Sequence, residues 1–219
     1  HGAFGVDAGV GTLGGSQDHV AVLCCNAGQL SQFAFAPVRR EAEFPFLPGY
    51  SLVFGVSGIT ANKAGGARER YNRLSRAVAR LLERWNVETH RADATLAAAI
   101  ATASDAPDRL REVADRAADS QFTAQDLRDR LDQFVEEAYR LVPAAADLFR
   151  CGAVDELGAV VDRSQHLAES LLANQVPETV ALQRLAREHG AVAASAFGAG
   201  FGGSVWALVP GAAADDFVE

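Results

Sequence analysis

Two glycine-rich stretches near opposite ends of the chain hold the residues whose types and spacing could do chemistry. The first, residues 11–22, places Asp18 just after the pair Gly14 and Gly15. The glycine pair predicts a turn, and Ser16 is a suitable N-cap for a helix that follows it. A carboxylate in the first turn of a helix is held in its ionised form by the free N–H groups and the helix dipole. Asp18 could therefore accept or orient a hydroxyl proton for attack on a phosphoryl group, or it could simply cap its helix.

The second stretch, residues 198–204, formally satisfies the pattern G-x-G-x-x-G with Gly198, Gly200 and Gly203. A dinucleotide-binding fingerprint needs a helix directly after the third glycine and an acidic residue about 20 positions further on. Here the strand-like sequence S-V-W-A-L-V follows, and the chain ends before that acidic position. The dinucleotide interpretation is therefore excluded. What remains is a loop whose N–H groups could approach a phosphate or pack beneath another phosphate loop, or a tight turn between two strands.

The elements that must position these stretches change character along the chain. Extended patterns predict three strands, in residues 29–37, 38–46 and 50–59, which we expect to form one small antiparallel sheet. Helical periodicity then predicts helices in residues 67–85, 93–103, 107–118, 123–143, 154–171 and 177–190. Thr123 is the expected cap of the fourth of these helices, and Pro143 its expected stop. A strand, the glycine loop and a second strand follow in residues 191–209, before a further helix begins near residue 211.

The helix that begins near residue 67 has an unusual number of arginines. Ala67, Tyr71, Leu74, Val78, Leu81 and Trp85 form its apolar face. Its arginines are Arg68, Arg70, Arg73, Arg76, Arg80 and Arg84. These could hold a phosphate, but a solvated face with Glu69 and Glu83 interspersed is the interpretation we favour.

Composition limits the classes of protein that the chain can belong to. With 219 residues, 49% hydrophobic and 22% charged, it is typical of a globular protein of one large or two small domains. The net charge of −8 argues against a non-specific nucleic-acid surface. No apolar run approaches the ~18 residues of a membrane span and no secretory leader is recognisable, so the cytoplasm is the expected location.

Cysteine usage argues against a structural metal site. The three cysteines, Cys24, Cys25 and Cys151, form no C-x-x-C pair, and no H-E-x-x-H occurs. We therefore predict no protein-held metal. Buried, reduced thiols are the simplest expectation for all three residues.

Considered together, the two glycine-rich stretches resemble motifs of the galactokinases within the GHMP small-molecule kinases. G-T-L-G-G-S-Q-D-H, in residues 11–19, resembles the G-x-x-D-Q type catalytic motif. F-G-A-G-F-G-G-S, in residues 197–204, resembles the third glycine motif of the family. D-R-S-Q-H-L-A-E-S-L-L-A-N-Q-V-P-E, in residues 162–178, is similar to the segment that precedes it. The resemblance runs in order over residues 11–209.

This resemblance implies a fold and an activity. The implied fold is α+β, with a helical layer packed on small antiparallel sheets. The implied activity is transfer of the γ-phosphoryl group of ATP, with Mg²⁺, to the anomeric hydroxyl of galactose or a related sugar. We expect residues 1–65 to form a catalytic-loop and sheet segment, and residues 66–219 a helical and ferredoxin-like segment. The expected partners are thus a sugar and ATP, with no nucleic acid and no membrane.

The resemblance also implies roles for individual residues. Asp18 matches the catalytic aspartate, and Gly14 and Gly15 would lie against the sugar. Tyr71 is the candidate for a sugar-contacting tyrosine, with Arg68 as the alternative at that position. In the second stretch, the residues that would support the ATP phosphates are Gly198, Gly200, Gly202, Gly203 and Ser204.

Two departures from the family pattern matter. His19 stands where the family usually has glutamine after the aspartate. The sequence also has no G-R-x-N-x-I-G-E-H sugar signature, no G-L-S-S-S-A phosphate loop and no matching arginine to pair with the catalytic aspartate. We therefore expect a fragment that lacks the amino-terminal part of the fold and does not turn over alone.

The resemblance leaves alternatives for the function open. The intact enzyme could phosphorylate arabinose or galacturonate, because most specificity contacts lie in the missing part. Galactokinase-like proteins can also serve as sugar sensors without turnover, although the retained Asp18 argues for catalysis. The remaining alternative is a helical binding domain with incidental glycine turns.

Overall fold

The computed structural model describes residues 12–60 and 66–218 of the chain. Its first part contains one helix, α1 (Gln17–Cys24), and three strands, β1 (Gln29–Ala34), β2 (Arg39–Pro45) and β3 (Tyr50–Val56). Helices dominate the rest: α2 (Gly66–Thr89), α3 (Leu96–Ile100), α4 (Ala106–Ala117), α5 (Ala124–Glu136), α6 (Val142–Cys151), α7 (Leu157–Ser170), α8 (Pro177–Glu188) and α9 (Ala214–Val218). Two further strands, β4 (Ala193–Ala196) and β5 (Ser204–Pro210), lie between α8 and α9. The predicted α+β class is confirmed.

The strands form two separate sheets rather than the single sheet that we predicted. β1 and β2 pair only with each other, as an antiparallel hairpin. β3 instead pairs with β5, from Tyr50 opposite Pro210 to Val56 opposite Ser204, which gives the order β3-β5-β4. The prediction was wrong because alternation of apolar residues identifies a strand but not its partner. The partner of β3 lies some 150 positions away along the chain.

The three-stranded sheet is covered by helices on both faces. On one face, Val53 of β3 and Val205 of β5 belong to a core cluster that includes Leu182 of α8. On the other, Leu208 of β5 packs in a cluster with Leu157 at the start of α7. The glycine loop, residues 197–203, joins β4 to β5 at one end of this sheet and is therefore anchored on a buried scaffold.

A second core holds the helical layer together. Leu81 and Trp85 of α2 are almost fully buried, as the predicted stripe requires, and they pack with Leu110 of α4 and Leu131 of α5. The arginines further along α2 pair with acids, for example Arg84 with Glu88 at 2.7 Å. The solvated-face interpretation is thus confirmed for this part of α2.

The predicted stop at Pro143 is wrong. A π-helical turn, Glu137–Leu141, joins α5 to α6, and Pro143 lies in the first turn of α6. Proline lacks an N–H group and clashes with the carbonyl one turn earlier, but a first-turn position needs no intrahelical donor. The wider turn before it allows the chain to continue as helix without that clash.

The predicted cap at Thr123 is confirmed as a capping box at the start of α5. The Thr123 hydroxyl accepts a hydrogen bond from the Asp126 N–H at 3.1 Å, and the Asp126 carboxylate accepts one from the Thr123 N–H at 2.8 Å. We expect Thr123→Ala to lower the free energy of unfolding by about 1 kcal/mol, because one backbone N–H loses its acceptor. Thr123→Ser keeps the hydroxyl and is the control. Urea denaturation of both variants measures the difference, and equal losses would contradict the capping role.

The predicted burial of the thiols is wrong, since Cys24, Cys25 and Cys151 are all exposed, although all three are free cysteines. Cys24 is the last residue of α1 and Cys25 is its C-cap, and the neighbouring Leu23 of this helix is 78% exposed. α1 buries none of its residues within the described part of the chain. The apolar pattern indicated a packed helix face, but no described element covers it.

Within residues 12–60 and 66–218, no helix is long and apolar enough to cross a membrane.

Candidate functional site

The segment before Asp18 is held by the first turns of α2. The Leu13 N–H donates to the Asn72 side-chain oxygen at 2.8 Å, and the Ser75 hydroxyl donates to the Leu13 carbonyl at 3.0 Å. On its other side, Gly15 lies so close to the Phe35 ring of the hairpin region that an added Cβ would overlap that ring. The glycine pair is therefore fixed between a helix and the hairpin, and Gly15 allows this close approach.

Asp18 lies in the first turn of α1, where the predicted helix begins. Ser16 occupies the N-cap position, but its side chain makes no capping hydrogen bond. Asp18 is exposed, so its carboxylate can meet a ligand.

Tyr71 of α2 lies in the neighbourhood of Asp18. Burial raises the pKa of the Tyr71 hydroxyl, and the negative charge of Asp18 raises it further. The hydroxyl therefore stays protonated and able to donate a hydrogen bond. Arg68, the alternative sugar-contacting residue, is exposed in the first turn of the same helix. The structure thus brings Tyr71 towards Asp18, whereas no contact of Arg68 with that carboxylate is seen in the part of the chain that is described.

The glycine loop adopts backbone angles that few other residues tolerate. Five of its residues have positive φ: Gly198 at 62°, Gly200 at 74°, Phe201 at 62°, Gly202 at 118° and Gly203 at 89°. Of these five residues only Phe201 has a side chain, and it is buried. A bulky residue with positive φ is uncommon and is stable only when its surroundings hold it. The loop is therefore more constrained than a simple turn between two strands.

Two backbone segments hold this loop. At Gly200, an added Cβ would overlap the Asn174 carbonyl oxygen, and the Asn174 side chain donates to the Ala199 carbonyl at 3.0 Å. At Gly202, a Cβ would lie 2.6 Å from the Ile59 carbonyl oxygen. The next N–H, that of Gly203, donates to the same oxygen at 2.8 Å.

The glycines of the loop therefore divide into two kinds. Gly200 and Gly202 are required by packing against the rest of the chain. A Cβ at Gly198 or Gly203 would meet nothing within 4 Å among the described residues. The side of the loop at Gly198 and Gly203 is open, so a phosphate or another loop could approach the backbone there. Ser204, the first residue of β5, is partly exposed next to it.

Sequence reasoning did not identify the polar residues that support the loop. Asn174 and Gln175 lie between α7 and α8, and the Gln175 amide donates to the Asn174 side chain at 3.1 Å. Gln165 of α7 is buried and accepts hydrogen bonds from the Ser195 hydroxyl and the Ala196 N–H, each at 3.0 Å. The available signal was the resemblance of residues 162–178 to a family segment, which contains all three of these polar residues.

One end of α2 contacts both glycine-rich stretches. The Arg70 guanidinium lies over the Phe201 ring of the glycine loop, 5.0 Å from its centroid. Asn72 and Ser75 of the same helix hold Leu13, as described above. The structure thus places two stretches that are some 180 positions apart against neighbouring residues of a single helix.

The described residues do not form a metal site. No group of three or more His, Cys, Asp or Glu side chains in residues 12–60 and 66–218 could hold a metal ion.

Comparison with known proteins agrees with this geometry. Residues 141–219 match the family described as GHMP kinases C terminal. That match covers about a third of the chain, and the fold as a whole is similar to that of a galactokinase. A solved structure with this fold is the galactokinase of Lactococcus lactis complexed with galactose, with a TM-score of 0.69 over 87% of this chain at 19% identity. A search of curated proteins found no match.

The galactokinase-like chain spans 45% of the length of the Lactococcus lactis enzyme. The family match covers α6 onwards and so includes the segment 162–178, the glycine loop and β5. Asp18 and Tyr71 lie outside that match. The chain thus shares a fold with a galactokinase over 87% of its length, while an activity, a substrate and the residue roles are matters of proposal.

Proposed function

We propose that this GHMP-kinase chain forms the part of an ATP-dependent sugar 1-kinase that contains the catalytic aspartate and the third glycine loop. The intact protein would transfer the γ-phosphoryl group of ATP to the anomeric hydroxyl of galactose or a related sugar. The observation that supports this proposal is that one end of α2 contacts both the Asp18 segment and the glycine loop. In addition, the chain shares its fold with an enzyme solved with galactose.

In the proposed reaction, the sugar lies against the backbone of Gly14 and Gly15. Asp18 accepts the proton of the anomeric hydroxyl or orients it. The sugar oxygen then forms its bond to the γ-phosphorus as the bond between that phosphorus and the β–γ bridging oxygen breaks, and ADP leaves. Tyr71 donates a hydrogen bond to the sugar. Catalysis of this kind comes mainly from positioning and charge stabilisation.

The glycine loop would support the phosphates of ATP. We assign this role to Gly198, Gly203 and Ser204 on the open side of the loop, with Gly200 and Gly202 fixing its shape. Mg²⁺ bound with ATP would supply positive charge against the phosphates. Its ligands would come mainly from the ATP phosphates and water, with one or two carboxylates of the intact enzyme.

The proposal is tested by assaying the chain with and without the missing part. We expect the 219-residue chain alone to release no ADP from ATP and galactose. The joined protein is the same chain preceded by an amino-terminal part with the G-R-x-N-x-I-G-E-H and G-L-S-S-S-A motifs. We expect it to phosphorylate a sugar. A panel of galactose, arabinose and galacturonate identifies the substrate. Failure of the joined protein to phosphorylate any sugar would contradict the kinase proposal.

Two alternatives remain within this framework. His19 stands in place of the family glutamine beside the catalytic aspartate, so arabinose or galacturonate could replace galactose as the substrate. A sugar sensor would bind galactose without releasing ADP, and calorimetry beside the kinase assay distinguishes it from an enzyme. We place the protein in the cytoplasm, where ATP is available.

The choice between Tyr71 and Arg68 as the sugar contact can be measured directly. We expect Tyr71→Phe in the joined protein to raise the KM for the sugar about tenfold, because one hydrogen bond to the substrate is lost. Arg68→Gln is the matched variant on the same helix and should leave the KM unchanged. Steady-state kinetics with varied sugar concentration decides the assignment. The opposite pattern would move the contact to Arg68.

A further inference from the structure

A cavity of about 320 Å³ lies where α2, α5, the end of α7 and the glycine loop meet. Its charged wall includes Arg70 and Arg73 of α2 and Arg130 of α5. Leu171 and the Phe122 and Phe201 rings form much of its apolar wall. This volume is at the lower end of the range for small-molecule pockets, roughly 300–1,000 Å³. The cavity therefore has room for a small organic molecule.

Of the three arginines, one is neutralised. Arg73 forms an ion pair with Asp126 at 2.9 Å and also donates to the Gln121 carbonyl. A second acid in the wall, Asp129, accepts a hydrogen bond from the Gln125 amide at 2.7 Å. The Asp126 carboxylate is further occupied by the capping box. Both acidic side chains of the wall, Asp126 and Asp129, are thus already bonded to other residues of the chain.

The other two arginines have no acidic partner. Arg70 is exposed and lies over the Phe201 ring, and it makes no ion pair with a described residue. Arg130 donates to the Gln133 side chain at 2.8 Å, but its Nε atom is buried and has no hydrogen-bond partner within the described chain. Burial lowers the pKa of Arg130 to about 10, and no carboxylate offsets this effect.

A guanidinium with a buried, unpaired Nε–H and no counterion among the described residues is costly. Leaving one buried donor unsatisfied lowers the stability of the fold, and desolvation of the charge lowers it further. Leucine or methionine would fill the same space between α5 and α2 without this penalty. A position that keeps a cation at such a cost is typical of a site whose partner is an anion that comes from outside the chain.

We propose that this cavity binds a small organic anion, with a phosphate or carboxylate group between Arg70 and Arg130 and an apolar body against the Leu171 side. Both guanidinium groups can donate charge-assisted hydrogen bonds to such an anion. The apolar wall supplies the area that would bury its body. This site goes beyond the proposed kinase reaction and does not depend on it.

Occupation of the cavity also affects the glycine loop. Phe201 is both part of the cavity wall and the one non-glycine residue of the loop with positive φ. A bound molecule would press on this ring and hold the loop in the conformation described here. The site therefore links an organic anion to the loop that we assign to ATP phosphates.

The test is a titration of the 219-residue chain with phenyl phosphate at low salt, followed by calorimetry. Phenol, which has the ring but no charge, is the comparison ligand. We expect phenyl phosphate to bind and phenol to bind at least about tenfold more weakly, because a charge-assisted hydrogen bond contributes 1.4 kcal/mol or more. The Arg70→Gln and Arg130→Gln variants are each expected to lose affinity about tenfold. Arg128→Gln, on α5 and outside the cavity wall, should bind as the wild type does.

Several results would overturn the proposal. It fails if phenyl phosphate does not bind at millimolar concentration, or if phenol binds as tightly. Equal binding by wild type and Arg70→Gln also overturns it, and because Arg70 is exposed this variant remains informative if Arg130→Gln does not fold. A second measurement is thermal unfolding without ligand. Arg130→Met should unfold at a temperature equal to or above that of wild type, and a large decrease would show that Arg130 has a structural role instead.

Discussion

Replacing Asp18 with asparagine is expected to lower the rate of sugar phosphorylation in the joined protein by about 10²–10⁴-fold, the range that a positioned general base contributes. Asparagine has the same shape as aspartate but cannot accept a proton at neutral pH. The residue is exposed and lies in the first turn of α1, where asparagine is tolerated, so the fold should not change. Steady-state kinetics should show the loss in kcat, while the KM for the sugar changes little.

The control for this experiment is a second exposed aspartate in the first turn of a helix. Asp216 of α9 meets both conditions and lies outside the candidate site. Asp216→Asn should keep the wild-type kcat, and both variants should unfold at the wild-type temperature. If Asp18→Asn kept the wild-type rate, Asp18 would be only a helix-terminal residue, and the base would have to be sought elsewhere. That result would leave the kinase assignment itself intact.

Replacing Gly200 with alanine is expected to lower the free energy of unfolding by more than about 2 kcal/mol. A left-handed φ costs an alanine roughly 1–2 kcal/mol, and Gly200 has a φ of 74°. The new Cβ would also overlap the Asn174 carbonyl oxygen, which belongs to the backbone and cannot move aside freely. The loop would therefore have to leave its position between the segments that hold it. Chemical denaturation of the 219-residue chain measures the loss.

Gly198→Ala separates these two causes. Gly198 also has a left-handed φ, 62°, but an added Cβ there meets nothing within 4 Å. We expect it to lose only about 1 kcal/mol, which is the conformational part alone. Equal losses in the two variants would mean that contact with Asn174 does not hold the loop. In the joined protein, Gly200→Ala should also raise the KM for ATP, because the phosphate-supporting backbone is displaced.

The local features of the fold could be predicted from the sequence. The apolar period of α2 placed Leu81 and Trp85 in the core, and the pattern at Thr123 located the start of α5. Both follow from interactions within one or two helical turns, which adjacent residues determine. The position of Asp18 in a first helical turn, and the presence of a glycine loop between two strands, are local in the same sense.

Only the tertiary structure decided the remaining features, because they depend on residues that are distant along the chain. Nothing near β3 indicates that its partner is β5, and the apolar surroundings of Cys24 gave no sign that α1 is left uncovered. Likewise, six arginines along α2 looked alike in sequence. Four of them form ion pairs, whereas Arg68 and Arg70 form none with the described residues, and this division depends on where the acidic residues of the fold lie.

The opening motifs show the same division. The residue types and spacing of the Asp18 segment and of the glycine loop were sufficient to predict a family and a reaction. The sequence did not show that α2 holds the first stretch by hydrogen bonds to Leu13 and contacts the second through Arg70. It also did not show that Asn174 and Ile59 require glycine at two positions of the loop. Composition and spacing determined which chemical groups are available, and packing between distant segments determined which of them meet.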